Sequence, residues 1–459
     1  LVSKTTPVLV VQPDGSLPLP TPTNTPTVTN TATRTVTASR TATSTNTPTK
    51  TMSPTQTRTA TITLTPTIGP TLAVVNYSQV SVGTAGISSC ALTTAGKAYC
   101  WGQISDATGT SPSLVQKPTL VDMPAGVTFT QIGNNSGSNA CAIATNGNMY
   151  CWGDNSVGQL GDGTTVNKTR ATLVTMPRDP STGNVIPFTT LSVGTSTVCA
   201  LDNGGQAYCW GWNDVGMVGD NSGIDRSTPV KVEMPGVRFV SLSDSAHKHF
   251  CALDSNGKAY CWGLNDFGQL GDGTTTDRLK PVPVTMPTGV AFSQITVGVS
   301  HTCAMTTGTT NKRFYCWGGN WAGQLGDGNT ADQLLPELIT NPAPNLLGIY
   351  SGSIHVCANF QSGAYCWGNN VYGQLGNGVQ GDGTDPYLYI RVPVAVTMPS
   401  STIFSSMSLG DSHTCALTTN AIVYCWGINQ TGQLGDNTTN DRYLPVRIVQ
   451  PDGTILSSP

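Results

Sequence analysis

Residues Cys251–Thr274 read CALDSNGKAYCWGLNDFGQLGDGT, and variants of this stretch recur down the chain. The tetrapeptide Tyr-Cys-Trp-Gly occurs seven times, with its cysteine at Cys100, Cys151, Cys209, Cys261, Cys316, Cys366 and Cys425. A period of roughly fifty residues held over several copies marks a repeat architecture, in which each copy is one supersecondary unit.

The segments Cys251-Ala-Leu and Ala259-Tyr-Cys-Trp-Gly are short, apolar and aromatic, as strands are. The Gly-bearing turn between them makes the pair a β-hairpin and sets Cys261 opposite Cys251. Directly opposed antiparallel residues place their Cβ atoms roughly 4.5–5.5 Å apart, close enough for a disulfide. Leu253 then faces Ala259, and the closing loop is built around Gly257. Five units space the pair identically: Cys90–Cys100, Cys141–Cys151, Cys199–Cys209, Cys251–Cys261 and Cys415–Cys425. Cys303–Cys316 is longer and Cys357–Cys366 shorter, both through changes in the turn.

Alternation puts Ala259 and Cys261 on one face of the second strand and Tyr260 and Trp262 on the other. Both faces are apolar, so the strand is expected to be buried on both sides. Radially packed propeller blades meet that demand. Each unit reads as inner strand, hairpin, loop and outer strand. The expected fold is all-β: a seven-bladed β-propeller of four-stranded antiparallel blades, each with its own hairpin disulfide.

The 459-residue chain has only 10% charged residues and a formal net charge of −3. Such a surface gives little electrostatic attraction for nucleic acid or an anionic membrane. All 14 cysteines fall in the hairpin pairs. One pair per unit, placed across strands, argues for disulfides and hence an extracellular or cell-surface location. Reduced thiols or metal sites are the competing reading, but no zinc-type Cys/His spacing is present. No apolar run is long enough for a transmembrane helix, so no membrane insertion is expected. No export signal is visible, and a chain beginning at Leu1 suggests a mature or truncated fragment.

The chain divides into three parts. Residues 1–20 contain Pro7–Gly15, PVLVVQPDG, which repeats Pro445–Gly453, PVRIVQPDG, at the end of the seventh unit. This reads as the remnant of a preceding repeat unit; the alternative is that Pro7–Val11 closes the ring. Residues 21–75 are a Thr/Pro-rich disordered stalk or linker, unable to bury enough apolar surface to offset its ordering entropy. Residues 76–459 are the propeller. Its first unit is degenerate, with QISDATGTSPSLV in place of the GQLGDGT loop, and its second carries an insert, Arg178–Ile186.

The pattern YCWGxNxxGQLGDGT followed by PVxV resembles the repeat of the regulator-of-chromosome-condensation family over Asn76–Pro459. That resemblance implies a seven-bladed propeller, and the bacterial β-lactamase-inhibitor propellers are similar. The cysteine pairs depart from the eukaryotic pattern and look like a secreted bacterial branch. The family's best-known member is a nucleotide-exchange factor for a small GTPase. That role depends on an inserted wedge and a basic tail, neither evident in this sequence, so exchange activity is not carried over.

Asp272 and Asp277, or Asp382 and Asp385, are candidate cation ligands, but Asp-Gly is ordinary turn chemistry and no loop matches a calcium signature. His249, His301, His355 and His413 each stand two residues before the first hairpin cysteine. They read as scaffold histidines bonded to a neighbouring loop, not as a metal ring. No acid/base constellation stands out, and no catalytic residue, metal or cofactor is assigned.

The variable loop residues are more telling: Val157, Val215, Phe267, Ala322, Tyr372 and Thr431, with Trp212 and Trp321 close to the same register. Trp212, Phe267, Trp321 and Tyr372 form the candidate binding arc, since aromatics anchor interfaces. Blade-to-blade packing is the competing reading. The expectation is a non-catalytic binding module, a monomeric propeller within a longer multidomain chain, whose partner is a protein or polysaccharide and not a nucleic acid. The alternative is a hydrolase or lyase with its site in the central funnel, which needs charged residues at a channel mouth.

Overall fold

The computed structural model describes residues 74–83, 87–105, 112–135, 139–243, 248–379, 389–398 and 402–454. Pro7–Val11, the Thr/Pro tract, Asp382 and Asp385 lie outside them.

The hairpin of the fourth unit shows why these residues form these strands. Cys251 pairs with Cys261 and Leu253 with Ala259 across His249–Asp254 and Ala259–Gly263. The turn closes where the Asp254 amide donates to the Lys258 carbonyl at 3.0 Å, with Gly257 at φ 74°. The Asp254 carboxylate accepts from the Asn256 and Lys258 amides at 2.9 and 3.0 Å, so an acidic residue at this corner organises the turn. A Cβ on Gly257 would stand 2.6 Å from the Phe292 carbonyl oxygen, because the turn bonds to the first strand of the next unit.

Every unit repeats this plan. Seven four-stranded antiparallel sheets follow one another, each built from one continuous segment. Blades 1 to 7 span Tyr77–Leu120, Phe129–Leu173, Phe188–Lys231, Phe239–Pro283, Phe292–Ile339, Leu346–Ala395 and Phe404–Arg447. The expected seven disulfides all close within their own hairpins, with Cα separations of 4.0–4.1 Å. The longer and shorter pairs keep the same cross-strand register, Cys303 opposite Cys316 and Cys357 opposite Cys366. The change in length is absorbed in the turn.

The core lies between blades. Ala259, Tyr260, Cys261 and Trp262 are all buried, so both faces of the hairpin strand are covered. Inner strands are also linked sideways. Gln294 of blade 5 donates from Nε2 to the Ile349 carbonyl of blade 6 at 2.7 Å and accepts from the Ile349 amide at 3.1 Å, imitating a strand rung. Gln79 bonds to Ile132 of blade 2 in the same two-way manner. Among the described residues the ring closes by contact between blade 7 and blade 1. The Val82 amide of blade 1 donates to Ser408 Oγ of blade 7 at 2.9 Å, and the Asn437 amide of blade 7 to the Gln116 carbonyl of blade 1 at 3.0 Å.

The degenerate first unit keeps its blade by lengthening strands. Its third and fourth strands, Ala98–Ser105 and Pro112–Leu120, stay paired out to Ser105 and Pro112 where other blades have already entered their loop.

Candidate functional site: the loop face and the axial channel

In a four-stranded meander, the turn after the first strand and the loop after the third emerge at one end. In blades 2 to 7 that end carries the WGxN loop and its GQLGDGT-like continuation, so these loops share one face. The hairpin turns and the connectors between successive blades occupy the other.

Each loop is organised by the asparagine of WGxN. Asn265 donates from its amide to Asp277 Oδ1 at 2.7 Å and from Nδ2 to the Thr274 and Thr276 carbonyls, while its Oδ1 accepts from the Leu270 amide at 3.0 Å. Asp272 accepts from Thr274 Oγ1 at 2.7 Å and pairs with Arg278 at 2.6 Å. Burial works against ionisation there, but these hydrogen bonds and the Arg278 guanidinium hold the Asp272 carboxyl below its ordinary range. Protein donors thus engage Asp272 and Asp277, the two candidate cation ligands among the described residues. Among the described residues no cluster of three or more His, Cys, Asp or Glu side chains is placed to hold a metal.

The loop also joins blades. The carbonyl oxygen of Gln269 in blade 4 accepts two bonds from blade 5: Trp317 Nε1 at 3.0 Å and Thr302 Oγ1 at 2.8 Å. His249 Nε2 lies 2.9 Å from the same Thr302 hydroxyl. Because that hydroxyl gives its hydrogen to Gln269, the imidazole must donate, which makes it the Nε2–H tautomer. His355, Thr414 and Gln374 repeat the arrangement, as do His413, Ser89 and Gln433. Blade 6 has Val356 where blade 5 has Thr302, so the His301 joint lacks that hydroxyl. His249, His355 and His413 are scaffold groups tied to a neighbouring loop through the next blade's hydroxyl. Burial, then the neighbouring His413 and His301, pushes the His355 pKa down to about 3.

Six of the seven tryptophans of the Tyr-Cys-Trp-Gly motif bond across a joint in this way: Trp101, Trp210, Trp262, Trp317, Trp367 and Trp426. All six are fully buried. The seventh, Trp152, faces the degenerate blade 1. It stacks on Phe129 and is only half-buried.

Of the aromatic arc, Phe267 and Trp321 come together across the joint of blades 4 and 5. Their ring centroids are 5.4 Å apart, and they are 38% and 40% exposed. Trp212 instead packs against the core with Lys248 Nζ 4.9 Å over its ring. Tyr372 is half-buried, its amide bonded to Gln374 Oε1.

The axial channel is walled by the inner strands and lined by Gln79, Ser81, Ser192, Thr296, Ser351 and Ser408, among others. Among the described residues no Asp, Glu, Lys, Arg or His lines its wall. At the inner turn of blade 7, burial raises the Asp411 pKa, with Ser353 and Ser412 as hydrogen-bond donors.

Sequence reading missed the inner-strand rungs and the His–hydroxyl–carbonyl relays. The available signals were Gln79, Gln131 and Gln294 at one register and Ser89, Thr302 and Thr414 just before a cysteine.

A model of the RCC1-like domain matches residues 175–457, and one of the regulator of chromosome condensation (RCC1) repeat matches residues 146–201. The chain is 30% identical over 320 residues to the ultraviolet-B receptor UVR8 of Arabidopsis thaliana, covering 69% of each. It is 27% identical to the E3 ubiquitin-protein ligase HERC2 of Homo sapiens, over 80% of this chain but only 7% of that one. Among solved structures, Prp20p of Saccharomyces cerevisiae, described with its binding to Gsp1p and histones, superposes with a TM-score of 0.64 at 24% identity, over 77% of this chain and 86% of that one. Human WBSCR16 superposes equally well at 19% identity, over 75% and 88%.

Proposed function

Because this chain belongs to the RCC1-like domain family of seven-bladed propellers, we propose that it is a non-catalytic interaction module, acting outside the cell or at its surface, that engages a protein partner through its loop face. The observation that carries this reading is the Phe267–Trp321 pair. Two aromatic rings, each more than a third exposed, stand in contact on a scaffold that holds them rigidly. Large aromatics presented at low conformational-entropy cost are the residues that dominate binding energy at protein interfaces.

Two further observations support it. UVR8 is a receptor by name, and Prp20p is described by what it binds. Seven intrachain disulfides with no free cysteine among the described residues favour an oxidising compartment. Ligase activity is not transferred, since the chain spans 7% of HERC2.

The test is a pull-down from the native surroundings with wild type, Phe267→Ala/Trp321→Ala, and a control on the opposite face, Arg178→Ala/Val185→Ala. The proposal expects the aromatic double variant to keep its melting temperature and lose the captured protein, and the control to retain it. Capture surviving in the aromatic variant, or a melting temperature that collapses with it, would assign the pair to packing.

A further inference from the structure

The axial channel carries hydrogen-bonding capacity that the protein does not use. It encloses about 200 Å³, room for roughly half a dozen water molecules at about 30 Å³ each. Ser192 and Ser351 line it, each 3% exposed, and neither hydroxyl has a hydrogen-bond partner in the protein. Three more hydroxyls serve only as acceptors in the bonds that link inner strands. Ser81 Oγ accepts from the Asn134 amide, Thr296 Oγ1 from the Ser351 amide and Ser408 Oγ from the Val82 amide, each at 2.9 Å. Ser81 and Ser408, which are only half-buried, keep their hydroxyl hydrogens for a further acceptor.

The chemistry of this wall selects its occupant. An ion would meet no opposite charge on the described wall, where no ionised side chain stands, and burying an uncompensated charge is costly. An apolar molecule would leave the hydroxyls stranded, which is also costly. A neutral molecule bearing several hydroxyls satisfies donors and acceptors together, and Val193 and Leu409 in the same wall offer apolar surface to its C–H groups. We propose that the channel is a binding site for a small neutral polyol, of monosaccharide size or smaller, distinct from the loop face.

The test uses the full chain with glycerol, glucose and sulfate as probes, read by saturation-transfer NMR. Wild type is expected to bind at least one of the two polyols saturably and sulfate not at all. Ser192→Ala/Ser351→Ala should weaken polyol binding about tenfold or more. This variant removes hydroxyls without partners, so it should melt no lower than wild type, which separates lost binding from lost fold. No saturable polyol signal, a signal unchanged in the double variant, or equal binding of sulfate would overturn the proposal and leave the channel a water-filled axis.

Discussion

Trp317 Nε1 donates to the carbonyl oxygen of Gln269 at 3.0 Å, across the joint between blades 4 and 5. The two residues are 48 positions apart, nearly one repeat, so the bond ties one unit to the next and not a unit to itself. The ring is held by such bonds repeated around the axis, each protected inside a buried joint.

Removing one of these bonds should therefore cost more than removing the same indole where the bond is missing. Trp317→Phe removes one of the two donors to a buried carbonyl and opens a gap, and should destabilise by about 2 kcal/mol. Trp152→Phe at the blade 1–2 joint should cost clearly less. Differential scanning calorimetry of the two variants checks the order, and equal losses would contradict it.

Gly271 should tolerate no side chain. Its φ is 67°, and an added Cβ would stand 2.6 Å from Trp317 Nε1. Gly289 has a similar φ of 74° with open space around it. Gly289→Ala should cost about 1 kcal/mol of backbone strain, while Gly271→Ala should lower the melting temperature further by displacing the indole. Similar losses in both variants would show that the joint can give way.

Stability should fall on acidification below neutrality. His355 is neutral in the fold, its pKa pushed down to about 3 from an ordinary 6.5. Between those values the unfolded chain takes up a proton that the folded one refuses. Stability is thus intact above pH 6.5 and is lost as pH falls toward 3, at up to about 1.4 kcal/mol per pH unit from this group. His355→Gln should have a shallower slope in chemical-denaturation curves across that window, and parallel slopes would contradict the assignment.

The disulfides should be silent in the native protein. The cysteines are all essentially buried, so native protein should show no alkylation, and intact mass should fall 14 hydrogens short of the reduced chain. Replacing Cys251 and Cys261 together with alanine should cost about 2.5–3 kcal/mol by the loop-entropy model. Several reactive thiols in native protein would remove the support for an extracellular location.

What the sequence determined by itself was the unit. Strand order, hairpin register, the Cys251–Cys261 pairing and the turn at Gly257 involve residues within about a dozen positions of one another, so alternation and turn chemistry suffice to read them. The number of blades followed from counting copies. Only the tertiary structure decided what happens between units. That Trp317 and Thr302 share the carbonyl of Gln269, that Gln294 forms a rung with Ile349, and that Phe267 meets Trp321 while Trp212 takes Lys248 all depend on the angle at which one blade leans on the next. That angle is set by the packing of the whole ring, so contacts of this kind leave no local periodicity in the chain.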